Sequence, residues 1–178
     1  DFEQKIFEEN GMESYYFGNP LVEIVHYEKS MDVFFAENPE FTKEDKVVLL
    51  LPGSRSQEVR KHIDEIIKTA SLLYKKDKSL KFVMIKAQDV YFDFDPANLD
   101  FPLYIKDKYP YCWYRFAKFA VVCSGTATLE AAISNLPMVI VYKINPISYI
   151  IAKVILNVKF AGLPNIVAGY EVVPEFLQ

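Results

Sequence analysis

The feature that most constrains the fold is a short, uninterrupted apolar run that ends in residues unfavourable to regular structure. The run occupies residues 47–51, after Lys46 and before a Pro-Gly pair at positions 52 and 53. Such a run is typical of a strand buried on both faces of a sheet. Beyond it, apolar residues recur at the spacing of one helix face, with charged residues between them: Val59, Ile63, Ile66, Ile67, Ala70 and Leu73. The two segments predict a strand followed by an amphipathic helix.

The same alternation continues along the chain. Strands are predicted at residues 81–85, 103–105, 119–123 and 138–141, and helices at 110–117, 126–134 and 146–156. Because parallel neighbours require crossover connections, strands that alternate with helices predict an α/β fold. We expect a Rossmann-like parallel sheet with helices on both faces. Residues 89–102 have no clear periodicity and are predicted to form a loop. The first 45 residues differ, with a possible strand at 14–17 and a short helix at 21–26.

Composition excludes several functional classes. The 178 residues carry 20 basic and 24 acidic side chains, so the formal charge is −4. This balance argues against a protein that mainly neutralises a nucleic-acid backbone. The two cysteines form no CxxC motif, so neither a zinc site nor a disulfide framework is indicated, and a reduced, cytoplasmic chain is expected. The apolar stretch at 138–158 is interrupted by Lys143, Pro146 and Lys153, which disfavours a membrane-spanning helix.

The turn after the first strand has the composition of a phosphate site. Gly53 allows the backbone to approach a ligand closely, and Ser54 with Gln57 would form a capping box at the helix start. The N–H groups of the first helical turn would then point outward. A helix N-terminus attracts anions, and Arg55 beside it offers bidentate hydrogen bonds to phosphate oxygens.

A second strand-to-helix turn, after residue 123, is expected at the same edge of the sheet. Three hydroxyl residues and a glycine occur there, namely Ser124, Gly125, Thr126 and Thr128, and Glu130 follows at a position suited to accept from ribose hydroxyls. The alternative is that both turns carry Gly, Ser and Thr only to cap helices. Neither turn matches the GxGxxG or GxxxxGK[ST] fingerprint, so dinucleotide and P-loop sites are not indicated.

Four motifs together resemble a known family. They are LPGSR at residues 51–55 with Glu58, SGTATLE at 124–130, LPNIVAG at 163–169 and PEFLQ at 174–178. In this order they resemble the carboxyl-terminal half of lipid-A-disaccharide synthases. The run FGNPLV at 17–22 also resembles the segment that links the two domains of that family, although the family usually has His in place of Asn19.

The resemblance implies a glycosyltransferase of the GT-B architecture, in which two Rossmann-like domains face a cleft. Residues 1–30 would be the end of the amino-terminal domain and a connector, and residues 31–178 the domain that binds the nucleotide sugar. The implied reaction is an inverting transfer of 2,3-diacylglucosamine from UDP to 2,3-diacylglucosamine 1-phosphate, which forms the β-1,6 disaccharide of lipid A. The general base would lie in the amino-terminal domain, so this chain alone is expected to be inactive and truncated at both ends.

The resemblance also implies roles for particular residues. Arg55 and Asn165 would be catalytic, although Asn165 could instead cap a helix. The residues expected to bind the UDP-sugar are Gly53, Ser54, Arg55, Glu58, Ser124, Gly125, Thr126, Ala127, Thr128 and Glu130. Arg55, the N–H groups of residues 124–126 and the helix dipole would stabilise the departing UDP. Neither a metal nor a cofactor is therefore expected, and Asp93 and Asp95 lack a third partner for a metal site.

Several alternatives remain open at this stage. The chain could belong to another GT-B enzyme that uses UDP-N-acetylglucosamine, or be a non-catalytic module for nucleotide binding or oligomerisation. Apolar residues at 147–158 would form core or a membrane-facing surface. The aromatic cluster at 109–116 would serve packing or hold a uracil or acyl group. His62 is expected on a solvated helix face. The expected location is cytoplasmic, peripheral at the inner face of the inner membrane.

Overall fold

The computed structural model describes residues 2–26, 29–87, 90–92, 94–108, 110–143 and 160–177. Within these ranges one six-stranded parallel sheet forms, with the strand order β3-β2-β1-β4-β5-β6. This is the order of a doubly wound, Rossmann-like sheet, so the predicted fold class is confirmed. The strands are β1 (Lys46–Leu51), β2 (Leu80–Ile85), β3 (Leu103–Lys106), β4 (Phe119–Cys123), β5 (Met138–Tyr142) and β6 (Glu175–Leu177).

Helices connect most of these strands. They are α1 (Phe2–Glu9), α2 (Leu21–Ile24), α3 (Met31–Glu37), α4 (Ser56–Lys76), α5 (Pro110–Phe116), α6 (Thr126–Ile133) and α7 (Leu163–Ala168), with a 3-10 turn at Pro96–Asn98. The helix predicted at 146–156 and the apolar residues at 147–158 lie outside the described residues. Among the described helices, none has both the length and the apolar character needed to cross a bilayer.

The central strand explains why its sequence is apolar without interruption. β1 pairs with β2 on one side and with β4 on the other. Its alternate residues face opposite ways: Leu49 joins a core cluster with Trp113, and Leu50 joins a second cluster with Ile66 of α4. Both faces of the strand are therefore covered by helices, as expected for a parallel sheet.

The amino-terminal region departs from the sequence predictions. The strand predicted at 14–17 is wrong, because these residues join no strand and Phe17 is 94% exposed. α1 and α3 were not predicted. A signal for α3 existed in Ser30, whose hydroxyl caps the helix by accepting from the Val33 N–H at 3.4 Å. The domain boundary at residue 30 stays a prediction; α3 begins just after it, and its Phe34 is fully buried.

Candidate functional site

A cavity of about 290 Å³ lies at the carboxyl ends of β1 and β4. These neighbouring strands flank the point where the strand order reverses, which is where open α/β sheets bind ligands. All predicted site residues except Thr128 and Asn165 line this cavity: Gly53, Ser54, Arg55, Glu58, Ser124, Gly125, Thr126, Ala127 and Glu130. The two turns that the sequence placed at one edge therefore meet in one cavity.

The turn after β1 is built around Gly53, whose φ of +117° is unfavourable for other residues. A side chain there would also crowd Glu58, since a Cβ would lie 3.2 Å from the Glu58 Cβ and Oε2 atoms. The prediction that Ser54 caps the next helix is wrong. α4 begins at Ser56, and Arg55 is its N-cap in an extended conformation without a side-chain cap. The left-handed turn at Gly53 is followed by extended backbone, which delays the helix start.

Arg55 reaches the cavity from this N-cap position. Its Nη1 atom lies 3.1 Å from Oε1 of Glu58, and the Arg55 side chain is 80% exposed. An exposed ion pair of this kind contributes about 0–1 kcal/mol to stability. Because the pair is weak, a phosphate could replace Glu58 as the partner of the guanidinium at little cost.

The turn after β4 presents fewer hydroxyl donors than its sequence indicates. Ser124 Oγ donates to the Ala161 carbonyl at 2.7 Å, and Thr128 Oγ1 donates to the Gly125 carbonyl at 2.7 Å. The prediction of a free Ser124 N–H is also wrong, because this group donates to Val141 in the sheet at 3.2 Å. Within the described part of the chain, the N–H groups of Gly125, Thr126 and Ala127 have no acceptor, so they remain for a ligand, together with the exposed Thr126 hydroxyl.

Thr128 is fully buried and contributes nothing to the cavity surface. Its hydroxyl completes the first turn of α6 instead, which is the capping role that the sequence left as an alternative.

Glu130 lines the part of the cavity formed after β4, whereas Arg55 lines the part formed after β1. The Glu130 Oε2 atom accepts from the Tyr114 hydroxyl at 3.3 Å. Burial raises the pKa of Glu130, and burial together with the nearby Glu130 raises the pKa of Tyr114. A half-buried carboxylate with a raised pKa gains from ligand hydroxyls that donate to it.

Sequence reasoning missed part of the cavity wall. Pro110 of α5, Ile85 at the end of β2 and Ala87 just after β2 also line it. Tyr114 lines it as well, and the sequence had offered this residue only as one member of the aromatic cluster. The available signal was topological, because β2 also ends at the same edge of the sheet. Cys123 borders the cavity too, and burial raises the pKa of its thiol to about 12, so it is a protonated, apolar wall residue.

Asn165 is fully buried and does not line the cavity. Its Oδ1 atom accepts from the N–H groups of Val172 (2.7 Å) and Val173 (3.0 Å). Its Nδ2 atom donates to the Val173 carbonyl (2.8 Å) and to Glu175 Oε1 (2.7 Å). A side-chain amide has two N–H groups and two lone pairs, so its capacity is filled within the chain. The structure does not bring Asn165 into the cavity, and Gly162, not Asn165, is the N-cap of α7.

His62 is buried, so the prediction of a solvated position is wrong. Its Nδ1 atom lies 2.6 Å from the Glu58 carbonyl, and Nε2 accepts from the Lys143 N–H at 2.9 Å. It lies three residues beyond the buried Val59 and four before the buried Ile66, so it belongs to the apolar face of α4. The ring thus ties the start of α4 to the end of β5.

The aromatic cluster divides between two roles, since Tyr114 lines the cavity whereas Trp113 packs in the core. Trp113 stacks edge-on against Phe34 and Phe41, with ring centroids 4.7 and 5.0 Å apart, and so belongs to the core. Tyr109 lies outside the described residues. Across the described ranges, no group of three or more His, Cys, Asp or Glu side chains is placed to hold a metal ion, and the two buried cysteines form no disulfide.

Comparison with known proteins identifies the family. A sequence model of the family described as lipid-A-disaccharide synthetase matches residues 1–178. The lipid-A-disaccharide synthase of Persephonella marina is 33% identical over 187 residues, covering 99% of this chain and 49% of the relative. Lipid-A-disaccharide synthase 1 of Legionella pneumophila (strain Paris) is 35% identical over 185 residues, with coverage of 99% and 47%. The chain thus spans about half the length of the curated relatives it matches.

A solved structure has the same fold. The crystal structure of TarM superposes with a TM-score of 0.51 at 17% identity, covering 99% of this chain and 32% of that chain. This likeness concerns the fold alone. With the parallel sheet and the family match, it supports the predicted fold class, the Rossmann-like domain of a GT-B glycosyltransferase. As its four motifs predicted, the chain belongs to the lipid-A-disaccharide synthase family.

Proposed function

We propose that this chain is the UDP-sugar-binding half of a glycosyltransferase of lipid A biosynthesis. The reaction would transfer 2,3-diacylglucosamine from UDP to 2,3-diacylglucosamine 1-phosphate, forming the β-1,6 disaccharide and releasing UDP. The observation that carries the proposal is the single cavity in which Arg55, the Glu130 carboxylate and the N–H groups of Gly125–Ala127 meet, these N–H groups having no acceptor among the described residues. Cationic and N–H donors suit a diphosphate, and a carboxylate suits ribose hydroxyls.

The chemistry follows from the charge that develops on the leaving group. Cleaving the sugar–phosphate bond places negative charge on the diphosphate of UDP, so fixed donors near it stabilise the transition state. Arg55 and the N–H groups of residues 125–127 would supply these donors, and neither a metal nor a cofactor is needed for this role. The base that activates the acceptor hydroxyl would lie in the amino-terminal domain of the family.

The partners and location follow from the proposed substrates. Both carry acyl chains, which favours a peripheral position at a membrane surface, and we place the enzyme on the cytoplasmic side, at the inner face of the inner membrane. Self-association into a homo-oligomer is part of the proposal, and no nucleic-acid partner is expected.

Calorimetric titration of this chain with UDP, without added metal, tests the proposal directly. We expect binding, and a dissociation constant raised about 5- to 30-fold by Glu130→Gln, because a neutral amide accepts more weakly from ribose hydroxyls. Glu44→Gln is the matched control, because Glu44 is an exposed carboxylate just before the amino-terminal end of β1. It should leave the affinity unchanged. A folded wild-type chain that gives no heat with UDP would contradict the proposal.

The same substitution should not lower the melting temperature at pH 7. A pKa raised by burial means that the folded state holds the Glu130 proton more tightly than the unfolded state. Stability from this group is thus present at low pH and falls as pH rises through the raised pKa. Removing the charge at pH 7 relieves that cost, while the Gln oxygen still accepts from Tyr114. A melting temperature reduced at pH 7 would show that the Glu130 charge stabilises the fold.

Two threonines of one turn should separate binding from capping. Thr128→Val is expected to lower the free energy of unfolding by about 0.5–1.5 kcal/mol, since it removes the hydroxyl hydrogen bond to the Gly125 carbonyl and leaves only the Thr128 N–H on that carbonyl, and to leave UDP affinity unchanged. Thr126→Val should instead weaken UDP binding with little effect on stability, because Thr126 is exposed and lines the cavity. Chemical denaturation and UDP titration of both variants measure the contrast, and the reverse pattern would refute it.

A further inference from the structure

Glu175 lies outside the cavity lining and accepts three hydrogen bonds from one short segment. Its Oε2 atom accepts from the Ala161 N–H at 2.7 Å. Its Oε1 atom accepts from the Gly162 N–H at 2.9 Å and from Asn165 Nδ2 at 2.7 Å. Glu175 is the first residue of β6, so the sheet fixes its backbone. One carboxylate thus binds the backbone at the start of α7 to the edge of the sheet.

The surrounding packing is adapted to this arrangement. A Cβ at Gly162 would lie 2.2 Å from Ile140 Cδ1 and 3.0 Å from Glu175 Oε1. A side chain at position 162 would therefore displace the Ile140 side chain and press on the carboxylate, so glycine suits this close approach. Asn165 extends the network by binding the backbone of Val172 and Val173, and its side chain is fully buried. The residues from 161 to 175 consequently form one hydrogen-bonded unit.

Hydrogen bonds of one peptide group connect this unit to the cavity. The peptide between Ala161 and Gly162 donates its N–H to Glu175 Oε1 at 2.9 Å, and its carbonyl, that of Ala161, accepts from Ser124 Oγ at 2.7 Å. Ser124 lines the cavity and precedes residues 125–127, whose N–H groups lack an acceptor in the part of the chain that the structure describes. Each step from carboxylate to cavity is thus a hydrogen bond of ordinary length.

We propose that Glu175 is a positioning residue of the nucleotide site. It fixes the Ala161 carbonyl, which holds the Ser124 hydroxyl and with it the turn that presents its N–H groups to the ligand. This inference rests on the proposed function, since it assigns Glu175 to the UDP site. Glu175 does not line the cavity, so its effect on a ligand passes through Ala161 and Ser124.

Glu175→Gln tests this role. The amide would place an NH₂ group against an N–H donor at 2.7–2.9 Å, so at least one of the three hydrogen bonds is lost. We expect the dissociation constant for UDP to rise about 5- to 30-fold. Asp45→Asn is the matched control, because Asp45 is a half-buried carboxylate near the amino-terminal ends of β1 and β2. It accepts from the Thr42 N–H and Lys81 Nζ there. This variant should lower the melting temperature and leave UDP affinity unchanged.

A double-mutant cycle with Ser124→Ala identifies the route. If Glu175 acts through Ser124, the effect of Glu175→Gln on UDP affinity shrinks in the Ser124→Ala background. A merely structural role would lower the melting temperature equally in both backgrounds and leave the affinity effects additive, which would overturn the inference. If Glu175→Gln does not fold, Glu175→Asp replaces it, because Asp keeps the charge but has a side chain shorter by one methylene group. A folded Glu175→Asp variant with the wild-type affinity for UDP would also overturn the inference.

The outcome for the wild-type chain separates the two proposals. If the wild-type chain binds UDP and the folded Glu175 variants bind it with the same affinity, only the positioning role of Glu175 is refuted. Absence of wild-type binding by the folded chain refutes the proposed UDP site itself.

Discussion

Replacing Arg55 with Ala is expected to lower kcat by about 10²- to 10³-fold in an enzyme of full family length that contains this chain. The guanidinium belongs to the N-cap residue of α4 at the cavity edge, and within the described ranges its partner is Glu58, in a solvent-exposed ion pair. It is therefore available to the diphosphate as negative charge develops on it. Steady-state measurement of disaccharide formation gives kcat and KM separately.

Two further variants sharpen this prediction. Arg60→Ala removes an exposed arginine from the same helix that does not line the cavity, and its kcat should remain that of the wild type. Arg55→Lys should recover only part of the rate, because an ammonium group lacks the bidentate geometry of guanidinium. An Arg55→Ala enzyme with wild-type kcat would exclude this residue from transition-state stabilisation.

Replacing Trp113 with Ala is expected to lower the free energy of unfolding by about 3–5 kcal/mol. The indole is 1% exposed and packs edge-on against Phe34 and Phe41. Truncation would leave a cavity between α5, α3 and the sheet that these rings cannot fill without rotating. Because domains of this size are stable by only about 5–15 kcal/mol, the variant should unfold at a much lower urea concentration.

The matched control for this core substitution is Phe17→Ala. Phe17 is 94% exposed, so its removal should change the free energy of unfolding by less than about 0.5 kcal/mol. Urea denaturation followed by far-ultraviolet circular dichroism measures both variants, since loss of the single tryptophan removes the fluorescence signal. Similar midpoints for Trp113→Ala and wild type would mean that the core re-forms without the indole.

The central strands were predictable because strands buried on both faces consist of uninterrupted apolar residues. β1 and β4 were located to within one residue, since each is covered on both faces. β6 and α7 were not predicted as elements. β6 has only three residues, and its partner in the sheet, β5, lies more than thirty positions earlier in the chain. Edge pairing of this kind depends on tertiary contact, which local periodicity does not record.

At the site, too, the sequence predicted the features set by local pattern and topology but missed those that depend on distant contacts. Strand-to-helix turns locate the cavity because topology brings the carboxyl ends of parallel strands to one edge. Which polar groups face a ligand depends on distant partners, as Ser124 shows by donating to Ala161 and Asn165 by binding residues 172–175. His62 was misplaced for the same reason, since Lys143 supplies its partner from the end of β5.

The position of the cavity between β1 and β4 links binding to the order in which the chain assembles. Val48 of β1 pairs with Phe119 of β4, so the intervening β2, α4, β3 and α5 lie between the two halves of the site in sequence. A partly folded chain that has joined only β1, β2 and β3 contains one turn and no cavity. A ligand that needs both turns therefore binds only the assembled sheet, and by mass action it draws the chain toward that state. Occupancy of the site is in this sense a measure of completed folding.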